Sequence, residues 1–351
     1  MSTNKAAFLK SLKTPFSVDD APLHSPGPHE ILIRNRAIAV NPIDYKQQDI
    51  GFFIKSYPWI LGMDVAGIVE EVGADITTFK KGDRVAALAP GMPTGNQAYA
   101  AFQLYTVVPA SVASKIPDRI AFTDAAVLPL GLTTVCWGLF GEGYLELDPP
   151  SASGTPSTKN NNKVVLVWGG SSSVGSCALQ LLSAGGYTIL TTASAKNFDF
   201  VKELGATQVF DHHDPDIVKK LVDAARGKEI LGAYDTISTA QTVRACGEYL
   251  HELGGGRFTK VDRTVDASDL PASVTVTENQ PPGLRGPDGG LASWNRLWRE
   301  FMGEGLENGK LKTKPNAFVL KGGLEKLNEA VDLVRQGVSA KKVVVQVVDG
   351  S

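Results

Sequence analysis

The chain is short of several things. Its 351 residues include only three cysteines and five histidines, and the formal net charge is −2. Cys136, Cys177 and Cys246 lie far apart in the sequence. They form no CxxC pair and no even disulfide framework, which excludes a Cys-rich metal lobe and favours a reducing compartment. A near-neutral charge gives no electrostatic pull toward nucleic acid or an anionic membrane. No run of about 18 apolar residues stands out, so no membrane span is expected. The opening MSTNKAAFLKSLK lacks the apolar core of a secretory signal. No Gly-x-Ser-x-Gly elbow occurs, which disfavours serine-hydrolase chemistry. The expectation is a cytoplasmic enzyme with neither nucleic acid nor membrane as partner.

What is present is an ordinary globular composition, 43% hydrophobic and 21% charged, on a chain long enough for two domains. The first third is rich in Pro and Gly, with short β-type runs at 30–40, 64–73 and 82–88 that suggest a small barrel-like domain. The stretch 122–140 reads as helical with an interruption near Pro129, and 148–163 reads as an exposed polar loop. A regular alternation follows. Strands at 164–168, 187–193, 207–211, 233–238 and 257–262 are separated by helical segments. One of those helices is expected to open at Asp214, with Pro215 in its first turn. This alternation implies an α/β fold with a parallel sheet covered on both faces. The tail offers a helix near 294–309, a short strand at 318–320, a helix at 323–337 and a strong β run at 341–348. That last run can return to the first domain's sheet.

The most informative stretch is VVLVWGGSSSVGSCALQLL, residues 164–182. A buried strand passes into a helix through Gly170-x-Ser172-x-x-Gly175. A dinucleotide turn needs a tight bend, close backbone approach to the pyrophosphate and close helix–strand packing, hence its three spaced glycines. Here the middle glycine is Ser172. The hydroxyls of Ser171, Ser172 and Ser173 are candidate phosphate donors beside the Val174–Gly175 backbone. A site for NAD expects a carboxylate about 20 residues on, at the end of the second strand. This strand ends TTASAKN, with Ser194, Lys196 and Asn197 and no carboxylate. An ammonium and neutral donors attract a 2′-phosphate, so NADPH is the expected cofactor.

Other segments carry a wider likeness. NPIDYK (41–46), LGMDVAGIVEEVG (61–73), GDRV (82–85), LPLGLTTVCWGL (128–139), the cofactor turn and GVSAKKVVV (337–345) occur in this order. Together they resemble the medium-chain dehydrogenase/reductase superfamily. GGSSSVGS and TTASAKNFDFVKELGA are similar to its zinc-free quinone reductase and enoyl reductase-like branch, which includes fungal trans-acting enoyl reductases that work beside polyketide synthases. The resemblance implies a discontinuous GroES-like catalytic domain with a partly open β-barrel, at 1–122 and 310–351. It also implies a Rossmann domain with a doubly wound parallel sheet at 123–309, and an active site in the cleft between the two.

The resemblance also assigns roles. Pro42, Asp44 and Lys46 belong beside the nicotinamide, with Thr134 nearby and Lys341 added from the C-terminal run. His212 stands where the family commonly has Tyr at the adenosine end. Gly131, Thr133 and Thr134 mark the substrate pocket, with a second wall expected at 274–298. The segment 278–290 reads as a surface loop, a lid or a docking surface for a carrier protein. Zinc-dependent members use Cys, a His-Glu pair and a later Cys as ligands. Those positions are Asn41, Met63, Asp64 and about Leu130 here, so no metal site is expected. The sequence DHHD at 211–214 has histidines expected to point to opposite sides of an extended strand end.

Zinc stabilises an alkoxide as a Lewis acid. Its loss favours reduction of an already activated C=C, with an enoyl, enone or quinone acceptor. Hydride addition leaves an enolate that hydrogen-bond donors stabilise and an acid protonates. Lys46 is the first candidate for that acid, since burial in an apolar cleft makes an ammonium a better proton donor. It reads equally as a phosphate-binding or solvated lysine. Tyr45 is the second candidate, and Asn41 is a pocket residue or a structural one. A quinone reductase and a non-catalytic NADPH-binding sensor stay open, as do a monomer and a homodimer.

Overall fold

The computed structural model describes residues 3–151, 155–278, 298 and 300–347. Most of the expected loop at 278–290, much of the wall at 274–298 and the start of the helix at 294–309 lie outside the described residues. Along the chain come β1 (Asn4–Leu9), β2 (Phe16–Ala21), β3 (Glu30–Ala39), α1 (Pro42–Ile50), β4 (Trp59–Ile60), β5 (Asp64–Val72) and β6 (Arg84–Leu88). Next are α2 (Gly91–Thr94), β7 (Tyr105–Pro109), β8 (Ala113–Lys115), α3 (Phe122–Ala125) and α4 (Pro129–Phe140). The alternating segment supplies β9 (Lys163–Trp168), α5 (Ser173–Ala184), β10 (Thr188–Ala193), α6 (Phe198–Glu203), β11 (Gln208–Asp211), α7 (Ile217–Ala225), β12 (Glu229–Asp235), α8 (Ala240–Glu252), β13 (Gly256–Lys260) and β14 (Val274–Glu278). The tail gives β15 (Asn316–Lys321), α9 (Leu327–Gln336) and β16 (Lys341–Gln346).

Two compact units emerge. One draws on Met1–Leu130, Pro282–Glu307 and Thr313–Ser351, the other on Gly131–Pro281 and Asn308–Lys312. In the first unit, β15-β16-β3-β5-β6-β8 form one sheet, β7 also pairs with β3, and β2-β1-β4 form a smaller sheet. Leu9, Ile33, Val65, Val85 and Val345 meet in its core. The C-terminal run joins this sheet: β16 pairs antiparallel with β3, with Val344 opposite Ala39. In the second unit, parallel strands run in the order β11-β10-β9-β12-β13-β14, the doubly wound dinucleotide-fold order. Val164–Val167 are fully buried, as a continuous apolar run predicts for a central strand covered on both faces.

Four expectations need correction. The first break between units falls between Leu130 and Gly131, inside α4, and not at 122/123. The reason is that α3 packs on β3 and β5, and Arg84 covers the Phe122 ring at 4.1 Å. The stretch Phe122–Phe140, though interrupted by Thr123, Asp124, Thr133 and Thr134, is by length and composition apolar enough to cross a membrane. It is nonetheless 67% buried inside the protein, so it serves as core helix. α7 begins at Ile217 and not at Asp214, because the Asp214 carboxylate accepts from the Asp216 amide in a local turn. A sixth strand, β14, lies where only a pocket wall was expected.

Replacing Leu166, fully buried in β9, by Ala removes contacts on a central strand. It should cost about 3 kcal/mol, measured as a lower urea midpoint.

Candidate active site

The cofactor turn is held from three sides. At Gly170, a Cβ would lie 2.3 Å from Thr191 Oγ1. At Gly175 it would lie 2.2 Å from the Gly169 carbonyl oxygen, so neither position tolerates a side chain. Gly169 has φ +82°, the left-handed region. The end of β10 pins the bend: the Gly169 amide donates to Thr192 Oγ1 at 3.0 Å and the Gly170 amide to the Thr192 carbonyl at 3.0 Å.

The three serines expected as phosphate donors sit in different settings. Ser172 caps α5: its Oγ accepts from the Gly175 amide at 2.9 Å and lies 2.9 Å from Thr236 Oγ1. Thr236 Oγ1 also lies 2.8 Å from the Trp168 carbonyl oxygen and 3.1 Å from that of Gly169, so Ser172 and Thr236 share one inward-facing hydroxyl cluster. The Ser173 Oγ is buried without a partner, close behind Gly131. Ser171 is half-buried, and its Oγ accepts from Asn197 Nδ2 at 3.4 Å, leaving its hydrogen uncommitted. The amides of Ser173 and Val174 open α5 and have no intrahelical acceptor, the arrangement that binds anions. Serine in the middle of the fingerprint therefore acts as a helix cap.

Beyond β10, Lys196 is exposed, Asn197 is buried, and Ser194 Oγ lies 3.1 Å from His212 Nε2. His212 and His213 do not point apart as expected. They sit in a turn after β11, which brings their ring centroids 3.9 Å apart with the planes tilted by 38°. The His213 Nδ1 pairs with Asp211 Oδ1 at 3.0 Å. Burial and neighbouring His213 push the His212 imidazole below its usual range, partly offset by Asp211.

The first unit holds a second polar cluster at the end of β3. Asn41, 4% exposed, donates from Nδ2 to Asp64 Oδ2 at 2.8 Å, and its Oδ1 accepts from Lys342 Nζ. Lys342 Nζ also lies 3.0 Å from Asp64 Oδ2. The other oxygen of fully buried Asp64 accepts from the Leu130 amide at 2.6 Å. Asp44, fully buried in the first turn of α1, accepts from the Asn41 amide at 2.7 Å. Burial is the main cause that pushes Asp44 up to about 7. Asp64 adds to the rise, while the Asn41 amide, Lys342 and the Gly62 amide oppose it.

Several sequence assignments change here. The resemblance sets Asp44 beside the nicotinamide; its carboxyl is fully buried, with Oδ2 accepting from the Asn41 amide and Oδ1 without a hydrogen-bond partner. Lys341 is exposed, and its neighbour Lys342 is the lysine turned inward. Strand alternation gave no warning, because Lys342–Val345 are all buried. Tyr45 packs against the first core, with the Arg335 guanidinium 5.9 Å from its ring centre. Pro42 is exposed at the first position of α1. Lys46 is half-buried, one turn past Ile43, which packs against Met63, Leu88 and Val112. In the second unit, Gly131 is buried and Thr133 and Thr134 are half-buried on α4. The Thr134 carbonyl accepts from the Tyr234 hydroxyl at 3.1 Å.

The first-unit residues do not suit zinc. Met63 is packed in the small apolar cluster with Leu88 and Val112. Asn41 Oδ1 and Asp64 Oδ2, the oxygens a cation would need, are already taken by an ammonium. The cofactor turn, with its two obligatory glycines and open helix N-terminus, does suit a dinucleotide.

Residues 27–118 match the family described as Alcohol dehydrogenase GroES-like domain, and 173–261 match Zinc-binding dehydrogenase. The chain is 38% identical over 357 residues to Dehydrogenase orsE of Emericella nidulans, covering 99% of this chain and 100% of that protein. It is 39% identical over 320 residues to Trans-enoyl reductase himH of Aspergillus japonicus, covering 91% and 90%. An alcohol dehydrogenase superfamily protein from Novosphingobium aromaticivorans matches in structure with TM-score 0.80 at 24% identity, covering 99% and 100%. At that identity the structural likeness speaks for the fold alone. Barrel-type unit, doubly wound sheet and glycine turn together define a nicotinamide-dependent oxidoreductase class. The chain belongs to the medium-chain dehydrogenase/reductase family.

The Asp44 carboxyl yields a pH prediction. Its folded pKa of about 7 exceeds the ordinary 3.8, so the stability tied to its protonated form is complete below 3.8 and is lost as pH rises through about 7. Melting temperatures measured between about pH 4 and 8 should show wild type losing ground to Asp44→Asn as pH rises.

Proposed function

We propose that this chain is a zinc-independent, NADPH-dependent reductase of an activated C=C bond in an enoyl or enone substrate. The observation that carries the reading is the pairing of an intact phosphate turn with a β10 end that offers Ser194 and Lys196 and no carboxylate. The amides of Ser173 and Val174 and the hydroxyl of Ser171 would hold the pyrophosphate. Exposed Lys196 would meet a 2′-phosphate, where a carboxylate would repel it. The name trans-enoyl reductase borne by a relative of 39% identity supports the substrate class.

When bound, NADPH supplies a hydride for the β-carbon of the acceptor. The residues of this chain would then manage charge and proton. Addition at the β-carbon moves the double-bond electrons onto the carbonyl oxygen, and a fixed donor lowers that barrier. Lys46, half-buried on α1, is the residue we assign to that electrostatic role and to proton delivery. Asn41 is withdrawn from the role of donor, because its amide is bonded to Asp64. Tyr45 is also a poor donor, since it packs into the first core.

Two measurements test this. Metal-stripped protein should oxidise NADPH with a panel of enones and enoyl thioesters, with kcat/KM at least tenfold above that for NADH. Lys196→Ala should narrow that preference. An NADH preference, or a need for added zinc, sinks the reading. Lys46→Ala should lower kcat by about 100-fold, the scale of one general acid, with the KM for NADPH little changed. Full turnover in that variant removes Lys46 from the chemistry.

A further inference from the structure

Lys342 sits in a strand of buried valines, 4% exposed, where a lysine is costly unless its charge is met. The register explains the meeting. β16 runs antiparallel to β3 with Val344 opposite Ala39, and the Val40 amide donates to the Val343 carbonyl at 2.9 Å. Continuing that pairing sets Lys342 across from Asn41. On the other side, β5 places Asp64 opposite Ala39. Three strands thus bring an ammonium, an amide and a carboxylate together at one strand end.

The three side chains close a ring. Lys342 bonds Asn41 and Asp64, and Asn41 bonds Asp64. Each contact fixes something further on. The Asn41 amide oxygen faces Lys342, so its nitrogen must face Asp64, and the residue so held begins α1, the helix that carries Lys46. Asp64 then accepts the Leu130 amide at the start of α4. A divalent cation would compete for the same oxygens of Asn41 and Asp64, so ammonium and metal exclude each other here.

We propose that Lys342 is a positioning residue: its buried ammonium serves as the fixed cation of this site, holding the starts of α1 and α4 in the arrangement the reductase reaction needs. This rests on the proposed reductase reading. Lys342 acts through Asn41 and Asp64, the side chains its Nζ meets.

A double-mutant cycle decides it. Lys342→Met leaves buried Asp64 without its counter-charge, held only by the Asn41 and Leu130 donors, and should lower the melting temperature by on the order of 10 °C. The double variant Lys342→Met/Asp64→Asn removes both charges and should recover most of that loss. Its kcat should nevertheless stay at least tenfold below wild type, with the KM for NADPH within about threefold. Amide exchange at Asn41 and Leu130 reads the same arrangement without substrate, and should quicken at least tenfold in Lys342→Met. A double variant with wild-type kcat makes the pair merely structural and overturns the proposal. So does a Lys342→Met protein with unchanged melting temperature and exchange. If wild type turns over no acceptor, the reductase reading fails by itself, and the exchange rates still decide whether Lys342 positions these helices.

Discussion

The first unit depends on one buried charge pair, Lys342 with Asp64. Removing either partner would strand the other in a medium that solvates it poorly, which is why such pairs resist piecemeal change. Asn41 makes the pair a ring, and the ring ties β3, β5 and β16 to the starts of α1 and α4. The C-terminal strand is therefore part of the polar cluster as well as of the barrel's core. In this ring the oxygens of Asn41 and Asp64 are met by a cation that the chain itself supplies.

The second unit works by close approach. Gly170 and Gly175 leave room for Thr191 and the Gly169 carbonyl, and Thr192 and Thr236 fasten the bend to β10 and β12. Serine at the middle position fits because it faces inward as a cap of α5. The backbone amides at the helix start are thereby left for an anion, while Ser171 and Asn197 link the turn to the end of β10. The fingerprint is altered in letter and keeps its geometry.

Much of this was legible in order of residues. Continuous apolar runs, helix stops and alternation gave the parallel sheet, since each strand is built from local pattern. The missing carboxylate after β10 and the absent zinc ligands are also plain from residue identity. Harder to read were features that arise between segments far apart. β14 has a local strand pattern, Val-Thr-Val-Thr, but its place beside β13 comes only from the pairing. The close approach of the His212 and His213 rings depends on a turn that residue type alone did not announce.

The cluster at the end of β3 shows the division most clearly. The sequence by itself supplied Asn41 and Asp64, which the family resemblance sets at zinc-ligand positions. Only the tertiary structure decided what takes their lone pairs. Lys342 lies about 300 residues from Asn41, and it reaches the cluster through the antiparallel register of β16 on β3. Local pattern could not choose between Lys341 and Lys342, because the strand is buried on both faces and alternation carries no information there. The pairing of strands, set by backbone hydrogen bonds across the sheet, made that choice.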